Sequence, residues 1–369
     1  MTKGKDSDVE TDALRKSQEE INGIDGDIIS LLSKRQGLAS EMGRIKQKLG
    51  VEMVDTAKEQ DDLKRLLLNK DKNLSADAIR TIFTEIISAE RSVQKVPSIA
   101  FLGPEATFSH QSAVSLYGNS ATFRATEAIE DVFDLVEKDV CDLGVVPIEN
   151  SYEGTVNITL DLFYKYDLKI SAENFVRIRH HFLSKSQKIQ DVKQLYIHPM
   201  TRGQCRSWIK TNLHGIPITE VASNSLAAKM AAENGNTAGV GSRFCSQIYD
   251  LNILEEDIED HPDNITRFLV IGKGGTEPTG QDKTSLMFFL HHRPGALYKV
   301  LRVLADKQVN MTRIESRPVK IKNWEYLFFV DIEGHEKDAD VAEALMDMEE
   351  HCVFMKMLGS YPSGGEPWD

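Results

Sequence analysis

The chain is poor in cysteine, and the four it has are not spaced to act together. Cys141, Cys205, Cys245 and Cys352 are scattered over 369 residues. That pattern offers neither a zinc motif nor a disulfide framework, so they read as reduced thiols of a cytoplasmic protein with no metal site. No stretch is long and apolar enough to span a membrane. Met1 to Thr11 is polar and acidic and holds no apolar signal core. Positive charge is scarce as well: 44 Lys and Arg stand against 57 Asp and Glu, a formal net charge of -13. This argues against nucleic acid or an anionic membrane as partner. An anionic small substrate would need basic groups gathered locally. Residues 12–95 are almost free of proline and aromatics. What the chain does have is 41% hydrophobic residues, ordinary for a globular protein, and length for two to four domains.

Three compositional blocks follow a short N-terminal segment, residues 1–11, expected to be disordered. Residues 12–95 read as helices throughout. From Leu14 to Ile45 apolar residues recur at helical spacing through Ile21, Ile24, Ile28, Leu31, Leu38 and Met42. A first helix from about Asp12 to Lys48 would be roughly 55 Å long at helical rise. Two short partner helices cannot cover such a rod, so the block implies a dimer or higher homo-oligomer. Asn69 to Asn73 reads as a turn, and Ser75 as the N-cap of a third helix. Polar residues interrupt the stripes: Arg35 and Lys46 on the first helix, Asp55 and Glu59 on the second, Glu90 and Gln94 on the third. Charged residues are rarely buried unless paired. Five of them and Gln94, aimed at one core, suggest a polar pocket inside a helical bundle.

After a linker at Ser92 to Pro97, residues 98–272 alternate β-rich with helical runs: Ile99–Gly103, Ala113–Tyr117, Val140–Val146, Leu160–Tyr166, Leu195–His198, Ala227–Glu233, Thr237–Val240. The alternation predicts an α/β domain with largely parallel strands. Three strands stop at a proline, Pro104, Pro147 and Pro199, each followed by polar residues and a helix. Ligands of open α/β sheets sit at the carboxyl ends of strands, where helix N-termini favour anions. Thr107, Ser109, His110, Glu149, Asn150, Ser151, Thr201, Arg202 and Gln204 could therefore line one crevice, with Ser223, Asn224 and Ser225 at another helix start. His110 and His198 are acid–base candidates or structural histidines in equal measure. Cys205 reads as a packing residue. Gly272 to Lys283 is a linker. Residues 284–360 read βαββαβ, a ferredoxin-like α+β order, with strands at Ser285–His291, Val309–Ser316, Trp324–Ile332 and Val353–Leu358. The tail after Ser360 is expected to be loose.

Phe101-Leu-Gly-Pro-Glu-Ala-Thr-Phe-Ser-His110, Val146-Pro-Ile-Glu-Asn-Ser-Tyr-Glu-Gly154 and Asn264-Ile-Thr-Arg-Phe268 resemble the signature segments of prephenate dehydratases. One departure is Ala106, where that family usually has glycine. The resemblance covers residues 98–272. It implies two α/β lobes similar to periplasmic binding proteins, with the active site between them and no cofactor, because loss of CO2 and hydroxide from prephenate aromatises the ring. It makes Thr266 the essential residue, donating a hydrogen bond to the departing oxygen. It leaves Arg267 either to hold a substrate carboxylate or to brace the site.

A helical block ahead of such a domain is similar to the chorismate mutase of the bifunctional chorismate mutase/prephenate dehydratases. That reaction is pericyclic, needing confinement and charge stabilisation at the ether oxygen rather than a nucleophile. The resemblance implies that Arg35 clamps a substrate carboxylate, that Lys46 and Gln94 face the ether oxygen, and that Asp55 and Glu59 hold the ring hydroxyl. Three positions depart. Gln18 and Lys58 replace arginines, the first of which would reach into the partner's site, with Arg15 one turn away. Glu90 replaces a serine. A mutase present but weakened is the expectation. Residues 284–360 resemble an ACT regulatory domain: Gly295, Ala296, Leu297 and Tyr298, with Glu315, Ser316, Arg317 and Pro318, match its phenylalanine-binding segments. The expected whole is a phenylalanine-inhibited enzyme acting on chorismate and prephenate. The rivals are a monofunctional dehydratase with a helical dimerisation arm and a non-enzymatic amino-acid sensor.

Overall fold

The computed structural model describes residues 3–50, 54–68, 73–318, 326–365 and 367–368. Most of the turn expected at Asn69 to Asn73, and Trp324 at the start of an expected strand, lie outside these residues. Helix α1 (Lys3–Leu49) begins ahead of Asp12, so residues 3–11, expected to be disordered, are its first turns. Helix α2 (Thr56–Leu68) and helix α3 (Ala76–Gln94) complete the block. The Ser75 hydroxyl caps α3, accepting from the Ala78 N–H at 3.1 Å. α1 meets α3 near its C-terminal end, where Ala39 and Gly43 are buried. A Cβ on Gly43 would stand 2.8 Å from the Gln94 Cγ, so glycine permits the close approach. The rest of the α1 stripe lies open in the single chain: Ile24 is 57% and Leu31 67% exposed.

The next block has two lobes. The first contains β1 (Ser98–Leu102), α4 (Phe108–Tyr117), β2 (Thr122–Thr126), α5 (Ile129–Glu137), β3 (Leu143–Asn150), β4 (Gly154–Thr155), α6 (Asn157–Lys165) and β5 (Lys169–Arg177). The chain crosses at residues 178–180 into the second lobe. That lobe contains β6 (His181–Ser184), β7 (Gln194–Ile197), α7 (Pro199–Gln204), α8 (Arg206–Asn212), β8 (Ile218–Glu220), α9 (Asn224–Glu233), β9 (Thr237–Gly241), α10 (Arg243–Tyr249) and β10 (Asn252–Glu255). It returns through residues 256–264 into β11 (Ile265–Gly272), which inserts between β3 and β5. The sheets are mixed rather than largely parallel. β1 pairs in parallel with β2 and β3, as β7 does with β8 and β9, but β11, β5, β6 and β10 run antiparallel to their neighbours. The reason is the double crossover: β5 leaves the first lobe and β11 re-enters it, so β11 runs opposite to both β5 and β3. Pro147 does not end its strand. β3 runs on to Asn150, and its register with β11 shifts between Arg267 and Phe268 beside the proline, which has no N–H for the ladder.

The last block has the expected order: β12 (Asp282–Phe289), α11 (Ala296–Asp306), β13 (Met311–Pro318), β14 (Tyr326–Glu333), α12 (Ala339–Glu349) and β15 (Phe354–Pro362), with sheet order β13-β14-β12-β15. Its inner face shares one core with the first lobe: Met287, Phe329, Leu358 and Tyr361 pack with Phe133, Phe163, Ile170 and Leu269. The tail is not loose. Trp368 donates its N–H to the Phe175 carbonyl at 2.8 Å and accepts from the Arg177 N–H at 2.6 Å. The Arg80 guanidinium lies over its ring at 5.0 Å, so the tail ties the helical block to β5.

Candidate active sites and effector site

Between the lobes, the end of β3 and the start of β11 hold a compact polar cluster. The Asn150 amide donates to Asn264 Oδ1 at 2.7 Å and to Thr266 Oγ1 at 2.8 Å. Its own Oδ1 accepts from the N–H groups of Tyr152 and Glu153. Ser151 Oγ takes the Ile265 N–H at 3.0 Å. Thr266 is buried, and because its oxygen accepts from Asn150, its hydroxyl hydrogen is the part left to donate. Thr107 caps α4, accepting from the His110 N–H, and donates its hydroxyl to the Leu102 carbonyl. Ser109 is buried beside it. In the second lobe Ser223 caps α9 and Thr201 bonds Asn224 at 2.7 Å. Gln204 meets His180 Nε2 at 2.8 Å. Ser225 and Tyr249 hold the Glu105 carbonyl, and Cys245 the Ala106 carbonyl, so the loop before α4 is clasped by the second lobe. Ala106 has φ 63, which explains why glycine suits that position. Arg202 pairs outward with Glu220.

Three expected site residues, His110, Glu149 and Arg267, serve elsewhere. His110 sits in an aromatic box: Phe101 stacks on it at 4.4 Å, and Phe123 and Phe244 meet it edge-on. Its Nδ1 accepts from the Ala106 N–H at 3.1 Å. Burial pushes its pKa down to about 4, so it is a neutral structural group, not an acid at neutral pH. His198 precedes Pro199 at the start of α7 and makes no side-chain cap bond. Glu149 points away from Asn150, as alternation along a strand requires, and pairs with Arg313 of the last block at 3.0 Å. Arg267 likewise points away from Thr266. It is 7% exposed and bonds Glu173 at 2.7 Å, Asp331 at 2.6 Å and the Tyr361 hydroxyl at 3.0 Å. It braces the junction with the last block. Cys205 is buried in the second lobe's core, and burial raises its thiol pKa.

A cavity of about 160 Å³ beside this cluster was missed in the sequence. It is lined by Phe108, Gln111, Arg177, Arg179, His181 and Arg243, among others. Arg177 stands opposite Ile265 in the ladder, next to Thr266. Glu259 pairs with Arg179 at 2.8 Å and Glu256 with Arg243 at 2.9 Å. The signal was the basic run from Arg177 to His181.

In the helical block Arg35 and Glu90 form an ion pair at 2.5 Å across α1 and α3. Gln94 lies one turn beyond Glu90, and its Oε1 is buried with no hydrogen-bond partner among the described residues. Glu59 is claimed by Arg91, at 2.6 to 2.9 Å, a residue the sequence reading overlooked. Arg91 also donates to the carbonyls of Leu116 and Tyr117 at the end of α4. Asp55 accepts the Lys58 N–H, and Asp55 and Lys46 border an open crevice of about 730 Å³ that reaches the 272–277 linker. Gln18 bonds Asn22, Arg15 pairs with Glu19, and both lie exposed on the far part of α1. Lys58 is exposed. The single chain thus brings together Arg35, Glu59, Glu90 and Gln94, but not Gln18.

In the last block Gly295, with φ 77, caps α11. Ala296 and Leu297 line a cavity of about 150 Å³ with Leu290, His292, Tyr326 and Phe328. Tyr298 is exposed. Ser316 and Pro318 pair in the ladder with Phe328 and Tyr326 at this cavity. The side chains of Glu315 and Arg317 face the first lobe instead. Glu315 accepts from Thr155 at 3.0 Å. Arg317 pairs with Asp161 at 3.0 Å and donates to the Asn157 carbonyl.

Three family models match in order: chorismate mutase type II over residues 17–95, prephenate dehydratase over 99–276 and ACT domain over 284–350. Together they define a helical mutase-type domain, a two-lobed dehydratase domain and an ACT domain on one chain. The chain is 43% identical over 353 residues to the bifunctional chorismate mutase/prephenate dehydratase of Aquifex aeolicus, covering 95% of this chain and 98% of that one. It is 35% identical over 357 residues to its counterpart from Pseudomonas aeruginosa, with 95% and 98% covered. A prephenate dehydratase from Arthrobacter aurescens, solved in complex with L-Phe, superposes with a TM-score of 0.66 at 32% identity, covering 72% of this chain and 90% of that one. The chain belongs to the family of bifunctional chorismate mutase/prephenate dehydratases. Among the described residues no helix is long and apolar enough to cross a membrane.

Proposed function

We propose that this enzyme of phenylalanine biosynthesis rearranges chorismate to prephenate in its helical domain, converts prephenate to phenylpyruvate between its two lobes, and is inhibited by phenylalanine at its ACT domain. The observation that carries the dehydratase reading is the Asn150–Thr266 hydrogen bond. Prephenate loses CO2 from its ring carboxylate. The bonding pair aromatises the ring and expels the ring hydroxyl, which takes a proton and leaves as water. Negative charge grows on the departing oxygen, so a donor placed there is worth more in the transition state than in the ground state. Thr266 is that donor, polarised by Asn150. Arg177, Arg179 and Arg243 supply the positive charge for the substrate's carboxylates. No cofactor is required.

In the mutase domain Arg35 and Lys46 meet the carboxylate and ether-oxygen side of chorismate with Gln94, and Asp55 and Glu59 the ring hydroxyl. The exposed α1 stripe is the face for a second copy, which would bring its own Arg15–Gln18 region towards this site. Sedimentation of the full chain as a monomer would refute that arrangement. The expected compartment is the cytoplasm. Phenylalanine fits the cavity at Gly295, where N–H groups at the start of α11 take its carboxylate. Glu315 and Arg317 connect that end of the sheet to β4 and α6. The experiment is consumption of chorismate and of prephenate by the purified full-length protein. Both are expected to turn over, and Thr266→Ala is expected to lower prephenate turnover by about 100-fold or more, the usual size for one lost transition-state donor, while sparing the mutase. If only prephenate reacts, the helical domain is a dimerisation arm. If Thr266→Ala keeps full activity, the site is misassigned.

A further inference from the structure

We propose that Glu90 is a built-in competitor for the substrate carboxylate at Arg35, so that the mutase site is gated by an acid group of its own chain. The inference rests on the mutase reading above and deepens it. The Arg35 guanidinium, the cation at hand on the middle of α1, already carries a carboxylate at 2.5 Å. The two partners are unequally placed: the Glu90 side chain is 15% exposed and that of Arg35 is 44%. The competitor therefore lies on the inner side of the cation, towards the core, and an incoming carboxylate approaches from the outer side. To bind there it must share the guanidinium with Glu90 or displace it, and sharing leaves two carboxylates on one cation.

Among the described residues no second cation pairs with Glu90. From α1 it faces Arg35. From α2 it faces Glu59, whose repulsion acts in the same sense as burial, although Arg91 on α3 holds Glu59 by three short hydrogen bonds. The carbonyls of Leu116 and Tyr117 on α4 are taken by Arg91, and the Tyr117 hydroxyl by Thr56, so α4 packs against α3 through Arg91. Burial is the largest influence on Glu90 and raises its pKa, with Arg35 opposing. The neighbouring Gln94 Oε1, buried with no hydrogen-bond partner among the described residues, marks the same spot as polar. The sign of the pH effect follows. Above its pKa Glu90 is charged and occupies Arg35. As pH falls through that pKa the competitor is discharged and Arg35 is released, so the chorismate KM falls with it.

The test compares the full-length protein with Glu90→Gln and Glu90→Ser across pH 5 to 8.5, with prephenate turnover of each preparation as the control for folding. Removing the charge is expected to lower the chorismate KM by about tenfold at the alkaline end, to flatten its pH dependence and to leave prephenate turnover unchanged. Arg35→Gln added to Glu90→Gln should abolish the gain. An active mutase whose KM is unchanged or raised by both substitutions overturns the gate while leaving the mutase reading intact. Absence of chorismate turnover in every variant, with prephenate turnover normal, overturns the mutase reading and the gate with it.

Discussion

Replacing Arg267 by methionine separates two roles that a Thr-Arg-Phe segment could give its arginine. The guanidinium is almost fully buried and makes three contacts, to Glu173, Asp331 and Tyr361. Removing one partner of a buried ion pair costs about 3–5 kcal/mol, because the other charge is left behind. Two features place this site at the lower end. Glu173 keeps Lys283 at 2.7 Å, and Asp331 keeps the Ser285 hydroxyl. A loss of about 3 kcal/mol at a urea m-value of about 3 kcal/mol/M moves the unfolding midpoint by about 1 M. Methionine fills much of the volume, so a cavity adds little. The expected outcome is a midpoint lower by about 1 M with a near-normal prephenate KM at low temperature. Phenylalanine inhibition should weaken, because Asp331 belongs to the ACT domain. A second variant, Asp331→Asn, should share most of its loss with Arg267→Met rather than add to it. An unchanged midpoint with a strongly raised KM would refute the reasoning and return Arg267 to the substrate.

Two further outcomes follow from the contacts. His110 is held neutral in its aromatic box, its pKa depressed from 6.5 to about 4. The unfolded chain binds that proton first, so stability falls as pH drops from about 6.5 towards 4 and levels off below. His110→Asn should flatten that segment of a pH–stability curve, and an imidazole NMR titration midpoint above 6 would contradict the assignment. Glu315→Gln and Arg317→Met break the links from β13 to Thr155 and Asp161. Each should reduce phenylalanine inhibition by at least tenfold in concentration and leave uninhibited prephenate turnover near normal. Inhibition that persists in both would remove this edge of the sheet from the regulatory path.

The sequence carried the local information well. Helical periodicity marked α1 and α3, and Ser75 marked the start of α3. Alternating β and helical runs marked an α/β domain, whose two lobes the resemblance supplied, and the βαββαβ order marked a ferredoxin-like last block. These signals survive because they depend on the nearest turn or pleat. The Asn264–Phe268 and Val146–Gly154 segments located the polar cluster between the lobes because β3 and β11 bring both to one place.

What the sequence could not decide was direction. Thr266 and Arg267 are neighbours in the chain, as Asn150 is to Glu149, yet one of each pair faces the cleft and the other the ACT domain. A strand puts successive side chains on opposite faces, but which face is the cleft depends on the sheet order and on the reversed entry of β11. Glu315 and Arg317 belonged by motif to an effector pocket, and docking against the first lobe turned their side chains towards β4 and α6. Pairing was equally hidden. Glu59 with Arg91 and Glu90 with Arg35 are contacts between helices, set by how close α1, α2 and α3 approach. The chain by itself determined which elements form and which chemistry is present. Only tertiary packing decided which charges meet, because burial leaves a charge no choice but the partner that the fold puts beside it.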